Sequence, residues 1–250
     1  MRYCFLDNLR GLVFISMALF HTMWDLTALF GWDAPWFSGM PGYVWQQSIL
    51  YSFVLISGFC WGLGRRQLRR GLEVFGCGLL VTAVTALAMP QEAVYFGVLS
   101  FMGAAMIVLV PFKGLLAKAP AWAGLLLSAA LFMLVRDIPR GALGFEGLDI
   151  CSLPSALYAN RATTALGFQM PGFASTDYVP FLPWIFLYLA GYFLWRLCPR
   201  DESGRLRLPR QKAWPVAAFV GRNCLPFYLV HQPVIYGVLS LAALLVGALG

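Results

Sequence analysis

The sequence predicts an all-α integral membrane protein, a polytopic bundle of about seven transmembrane helices with a cytoplasmic N-terminus. The first observation is composition: of 250 residues, 60% are hydrophobic and 12% are charged, whereas soluble domains carry roughly 25% charged residues. The second is a series of apolar stretches, several of which reach the roughly 20 residues that a helix needs to cross a bilayer. The third is the placement of basic residues between these stretches.

Each apolar stretch predicts one spanning helix. Only helices and closed barrels satisfy their backbone hydrogen bonds in lipid, and these stretches are too long and too unbroken for barrel strands. We predict that residues 1–250 form a single transmembrane domain without an internal repeat. The predicted spans are residues 9–30, 43–64, 71–89, 95–112, 121–136, 178–197 and 223–249.

The basic residues set the orientation. With the N-terminus inside, fifteen of the 18 Lys and Arg lie on the inner side, and three (Arg136, Arg140 and Arg161) lie on the outer side. Such an excess is typical of cytoplasmic loops. We therefore expect a multi-pass protein of the inner (cytoplasmic) membrane whose partner is the lipid bilayer, and we expect no nucleic acid.

Two connections are unusually long. The outer loop between spans five and six, residues 137–177, is rich in Gly, Pro and aromatic residues, and loops longer than about 15 residues are often lids or binding surfaces. The alternative is a loosely packed surface loop. The cytoplasmic linker, residues 198–215, combines prolines with basic side chains, as is typical of a solvated segment. A short interfacial helix is predicted at 214–222.

Ionisable side chains inside a span are costly and indicate function, and the first span holds the richest set. Arg10 and His21 are eleven residues apart, close to three helical turns, so they share one face. Asp25 follows His21 at i+4, near enough for its carboxylate to orient the imidazole. We predict His21 and Asp25 as catalytic residues. Asp7 or Asn8 is suited to cap this helix.

Two further groups are candidates for substrate binding. His231 and Gln232 lie in the seventh span between Pro226 and Pro233, which should bend that helix. The alternative for either histidine is a hydrogen bond that joins two helices. Asp177 either contacts substrate or caps the sixth span.

The basic cluster that contains Arg65 and Arg66 has two interpretations. It anchors the topology, or it binds polyphosphate groups at the cytoplasmic face. The six cysteines form neither a C-x-x-C pair nor a zinc-type spacing, so no metal is expected.

Leu-Asp-Asn-Leu-Arg-Gly-Leu at 6–12, followed by His21, resembles the first span of membrane-embedded acyltransferases. The segments at 17–26, 55–59, 95–99, 175–184 and 228–236 are similar to the bacterial branch of the heparan-alpha-glucosaminide N-acetyltransferase family. The spacing of Arg10 and His21 also occurs in the acyltransferase-3 family. Ser100 stands where many relatives of the first family have a histidine.

The resemblance implies an acyl-CoA-dependent N- or O-acetyltransferase. It implies acetyl-CoA as the donor on the cytoplasmic side and a glucosamine-like sugar, or another amine or hydroxyl compound, as the extracytoplasmic acceptor. His21 would be the catalytic histidine, and Asp7, Asn8 and Arg10 would lie at the mouth of the donor site. The cytoplasmic arginines would hold the phosphates of CoA.

Two other functions fit the same residues. In a proton-coupled transporter of small molecules, His21, Asp25 and His231 would relay protons through the membrane. No inverted repeat, a frequent mark of transporters, is visible in the sequence. The third hypothesis is a non-catalytic membrane scaffold. Each of these functions is compatible with a homodimer.

Overall fold

The computed structural model describes residues 3–209 and 211–249, and most of its regular structure is helical. α1 continues into a π-helical turn over Asp25–Leu29, and two short strands pair as an antiparallel hairpin. The elements are α1 (Cys4–Trp24), α2 (Pro35–Ser38), α3 (Met40–Leu63), α4 (Gln67–Ala88), α5 (Val98–Leu109), α6 (Lys113–Lys118), α7 (Ala121–Val135), β1 (Ala142–Phe145), β2 (Leu148–Ser152), α8 (Arg161–Leu166), α9 (Phe181–Leu197), α10 (Pro215–Arg222) and α11 (Cys224–Leu249).

The predicted class, an all-α polytopic membrane protein, is confirmed. Among the described residues, four helices are long and apolar enough to cross a membrane: Cys4–Leu29, Gln67–Ala88, Ala121–Arg140 and Cys224–Leu245. α3 is also 24 residues long, whereas α5 has 12 residues and α9 has 17. At 1.5 Å per residue, α5 extends only about 18 Å, less than a hydrocarbon core of about 30 Å. The count of seven spans therefore stays a prediction.

The chain divides into two compact units. The terminal unit comprises Met1–Phe53 and Pro199–Gly250, and the central unit comprises Val54–Cys198. α3 runs from the first into the second. This division concerns packing within the chain, and a single transmembrane domain over residues 1–250 stays a prediction.

In the terminal unit, α1 packs along α10 and α11. Glycines let the backbones of α1 and α10 touch, because a Cβ atom at Gly11 would collide with the carbonyl of Ala217, and one at Gly221 with the carbonyl of Asp7. Small residues allow the same close approach in membrane helices generally. Further along α1, Phe14 and Met17 form a buried cluster with Ile49 of α3. This packing fixes the position of α1, which carries most of the predicted site.

In the central unit, α4 packs against α5, and α7 packs against α9. Glycines allow close backbone contact here as well. A Cβ atom at Gly58 of α3 would collide with the carbonyl of Tyr188, and one at Gly191 with the carbonyl of Leu55. Tyr188 is completely buried as a result. These contacts hold the second half of α3 against α9.

The outer loop, residues 137–177, is a folded segment. Asp137 is almost fully buried and accepts a hydrogen bond from the Gly147 backbone at 2.7 Å, which closes the β1–β2 hairpin. Arg136 forms an ion pair with Glu146 at 3.1 Å and stacks on the Trp184 ring. The hairpin was not predicted, because β1 and β2 are only four and five residues long.

The linker at 198–215 is mostly exposed, as its composition predicted, and it contains an ordered turn. The Asp201 carboxylate accepts hydrogen bonds from Ser203 and from the Arg205 backbone, and these bonds lower the pKa of Asp201. Leu206 is buried, and its N–H donates to the Tyr3 hydroxyl. The turn is therefore ordered by its own polar groups and by the start of α1. Arg210 lies outside the described residues, and the helix predicted at 214–222 is present as α10.

The predicted orientation can be checked with two exposed cysteines, Cys4 at the start of α1 and Cys151 on β2. In intact cells or spheroplasts, a membrane-impermeant maleimide should label a variant that keeps only Cys151 and should leave a variant that keeps only Cys4 unlabelled. Reporter fusions at Arg66 and Gly144 should report inside and outside, respectively. The opposite pattern would reverse the topology.

Candidate functional site

The two histidines of the chain meet in the terminal unit. The ring centroids of His21 on α1 and His231 on α11 are 5.1 Å apart, with the rings tilted by 58°. Phe20 packs edge-on against His21, and Phe14 packs edge-on against His231. The contact follows from the packing of α1 against α11, which brings together two residues 210 positions apart in the chain.

The tautomer of His231 is set by its own helix. Its Nδ1 lies 2.6 Å from the carbonyl oxygen of Tyr228. Because a carbonyl only accepts, Nδ1 must carry the proton, and in the neutral ring Nε2 then holds a lone pair. Within the described part of the chain, this buried Nε2 has no hydrogen-bond partner. His231 therefore presents a buried acceptor atom.

Asp25 is completely buried at the point where α1 changes to the π-helical turn. Its Oδ1 accepts a hydrogen bond from Gln232 Nε2 at 2.7 Å. The sequence predicted that Asp25 orients His21, but the hydrogen bond found for it crosses to α11. α11 itself runs through Pro226 and Pro233 as one continuous helix.

Three buried polar atoms of this cluster have no partner among the described residues: Asp25 Oδ2, Gln232 Oε1 and His231 Nε2. An ionised carboxylate, an amide oxygen and an unprotonated ring nitrogen are all hydrogen-bond acceptors. Buried polar groups are normally satisfied by protein, water or ligand. The cluster therefore suits a group that brings several N–H or O–H donors.

Asp7, Asn8 and Arg10 lie at the other end of α1. Arg10 forms an ion pair with Asp7 at 3.6 Å. The prediction that Asp7 or Asn8 caps α1 is wrong, because the helix begins at Cys4 and both residues are inside it. Asn8 instead fastens the linker: its Nδ2 donates to the Lys212 carbonyl, and its Oδ1 accepts from the Trp214 N–H, both at 3.0 Å.

The role of Asn8 predicts a stability effect. Asn8→Ala leaves the partly buried Trp214 N–H without its partner. An unsatisfied donor costs about 1–3 kcal/mol when it is fully buried, so a loss at the lower end of that range is expected. Asn223→Ala, which removes an exposed hydrogen bond from the residue after α10 to the Phe219 carbonyl, should cost less. Unfolding of both variants in detergent provides the measurement. Equal losses would show that the Asn8 bonds contribute little.

Arg65 and Arg66 are exposed in the connection between α3 and α4. Asp177 accepts a hydrogen bond from the Val98 N–H at 3.0 Å and therefore caps α5. The prediction that it caps the sixth span is wrong, because the residue before α9 is Pro180.

Sequence reasoning missed two features of the terminal unit. The Tyr228 carbonyl, which sets the His231 tautomer, leaves no signal in the sequence because any residue at i−3 supplies it. Trp45 Nε1 donates to Ser16 Oγ at 2.9 Å, beside a groove of about 170 Å³ lined by Leu12, Val13, Ser16, Ser48, Ile49 and Ser52. In the described residues, no group of three or more His, Cys, Asp or Glu comes together as a metal site.

The helices define a polytopic membrane protein, and the buried polar cluster is a candidate site among its helices. A family model, Heparan-alpha-glucosaminide N-acetyltransferase, catalytic, matches residues 2–233. The chain belongs to this family of membrane acetyltransferases. A search of curated proteins and a search of solved structures gave no match.

Proposed function

We propose that the protein transfers the acetyl group of cytoplasmic acetyl-CoA to an extracytoplasmic sugar, glucosamine-like in its reacting group, with His21 as the catalytic histidine. The inner membrane is the proposed location. The observation that carries the proposal is the pairing of His21 with His231 at 5.1 Å beside a partly buried Asp25–Gln232 hydrogen bond. Such a concentration of polar groups within apolar helices is expensive and indicates function.

The transfer needs one proton acceptor. The acceptor nitrogen or hydroxyl oxygen attacks the thioester carbonyl, the carbon–sulfur bond breaks, and CoA leaves as a thiolate that takes up a proton. His21 would take the proton from the attacking atom. In the alternative route, His21 would first carry the acetyl group on a ring nitrogen. A cavity that excludes water would limit hydrolysis in either route.

His231, Gln232 and Asp25 are proposed to bind the acceptor. Their three unpartnered acceptor atoms complement an amino group, which brings two or three N–H donors, better than a hydroxyl, which brings one. The buried carboxylate favours an amine further, because it would pair with a protonated one and take its extra proton, which leaves the neutral amine that attacks the thioester. This cluster supports N-acetylation over O-acetylation.

Activity is tested directly by supplying purified protein in vesicles with labelled acetyl-CoA and glucosamine. Labelled N-acetylglucosamine is expected, and acetyl-CoA should raise the melting temperature of the detergent-purified protein. A proton relay is the second candidate, because the same histidine pair and Asp25 would serve it. Proton-driven uptake into vesicles without acetyl transfer would favour the transporter and reject the acetyltransferase.

The donor end is tested by charge removal. Arg10→Gln should weaken CoA binding about tenfold or more, because hydrogen bonds to charged groups contribute about 1.5–3 kcal/mol, and the loss should shrink at high salt. Arg65→Gln/Arg66→Gln is measured as a separate variant, and Arg161→Gln serves as the control. Unchanged CoA affinity in Arg10→Gln would remove it from the donor site, and the same result for Arg65 and Arg66 would leave them as topology anchors.

A further inference from the structure

α10 has two faces of different character. Ala217 and Ala218 are buried against α1, whereas Val216 is 68% exposed and Phe219 is 53% exposed. Trp214, which precedes the helix, is 48% exposed. An amphipathic helix with exposed aliphatic and aromatic side chains is typical of segments that lie in a membrane interface.

Exposed cations precede and follow the apolar residues of this helix in the chain. Arg207 and Lys212 precede α10, and Arg222 ends it. Within the described residues, none of the three takes part in an ion pair. Their charges are therefore available to an external anion.

We propose that this α10 face, formed by Trp214, Val216 and Phe219 with the cations beside them, binds acidic phospholipids of the predicted cytoplasmic leaflet. The apolar side chains enter the boundary between headgroups and acyl chains, and the cations contact lipid phosphates. Stable binding of a peripheral helix takes both contributions, apolar burial and attraction to anionic lipid. The position of α10 along the membrane normal also fits lipid binding, because α10 lies beside the first turns of α1, where that spanning helix begins.

The contacts of α10 connect this surface to the predicted donor end. The α10 backbone touches α1 at Gly11 and at Asp7, and Asn8 holds the Lys212 carbonyl and the Trp214 N–H. Lipid bound to α10 therefore stabilises the segment that contains Asp7, Asn8 and Arg10. Acidic lipid should raise the melting temperature of the whole terminal unit.

The first test titrates phosphatidylglycerol or phosphatidylcholine into the detergent-purified full chain and follows the melting temperature. Phosphatidylglycerol should stabilise the wild type and phosphatidylcholine should not. In Arg207→Gln/Lys212→Gln/Arg222→Gln, the apparent affinity for phosphatidylglycerol should fall roughly a hundredfold, since each cation near an anionic surface contributes about fivefold. Equal stabilisation of the wild type by both lipids would overturn the proposal.

The matched control, Arg70→Gln/Lys118→Gln/Arg161→Gln, removes three exposed cations from the central unit and should respond to phosphatidylglycerol like the wild type. If it loses the response equally, lipid binding follows net charge and not this face. CoA alone, without lipid, serves as the other phosphate source. If CoA stabilises the wild type but not the α10 triple variant, the face belongs to the donor site and the lipid assignment fails.

The second test locates Trp214. The fluorescence of Trp214 is the difference between the wild type and the Trp214→Phe variant. In phosphatidylglycerol vesicles, lipids brominated near the headgroup should quench this difference. Val216→Ser/Phe219→Ser should reduce that quenching while leaving the protein folded. Fluorescence of Trp214 that is insensitive to brominated lipid would place the face in water and reject the proposal.

Discussion

Replacing His21 with alanine is expected to reduce acetyl transfer by about 10²- to 10⁴-fold, the usual contribution of a general base. This corresponds to roughly 3–5 kcal/mol in the activation barrier. The reason is positional: His21 lies on the Arg10 face of α1 and meets His231 across the packing of α1 against α11. Single-turnover transfer of labelled acetyl from bound acetyl-CoA measures the step without product release. CoA affinity and membrane insertion should stay close to wild type.

Two companion variants separate catalysis from binding. Asp25→Asn keeps an oxygen that can accept from Gln232 but removes the charge, so an intermediate loss is expected. His231→Ala should raise the KM for the acceptor more than it lowers kcat, because its Nε2 is assigned to acceptor binding. Retained turnover in a folded His21→Ala variant would reject the mechanism, and a larger loss in His231→Ala would exchange the two roles.

The helices could be predicted because lipid imposes one rule, that a spanning segment must be both long and apolar. Residues 121–136 are the clearest case, since the helix found there ends within one residue of the prediction. The ends of other spans were less predictable. The fourth span was expected at 95–112, but α5 begins only at Val98, after Phe96 with a positive φ of 54°. A distant side chain, Asp177, supplies the cap there.

The sequence predicted which polar residues to consider, because polar groups are rare in spans, but not how they pair. The structure brings His21, Asp25, His231 and Gln232 together, and their roles stay predictions. Their partners depend on how α11 packs against α1, and periodicity along one helix favoured Asp25 with His21 over Asp25 with Gln232. Asn8 was misassigned for the same reason: the groups it binds are more than 200 residues away in the chain.

Gly11→Ala is expected to destabilise the terminal unit by about 1–3 kcal/mol or more, the range for overpacking a tight contact. The added Cβ atom would collide with the Ala217 carbonyl. Backbone cannot yield as a flexible side chain can, so α10 must move away from α1. That movement also strains the two hydrogen bonds of Asn8.

Gly237→Ala is the matched control, because it lies on α11 in the same unit with open space around its added Cβ. It should be neutral or slightly stabilising, since alanine loses less entropy than glycine in a helix. Unfolding by denaturing detergent compares the two, and acetyl-CoA affinity provides a second readout. Because Gly11 lies next to Arg10, Gly11→Ala should weaken acetyl-CoA binding. The rate of acetyl transfer should fall less, because it depends on His21, which is eleven residues from Arg10. Equal stability of the two alanine variants would mean that α10 is free to shift, and the donor end of α1 would then be held by something other than this backbone contact.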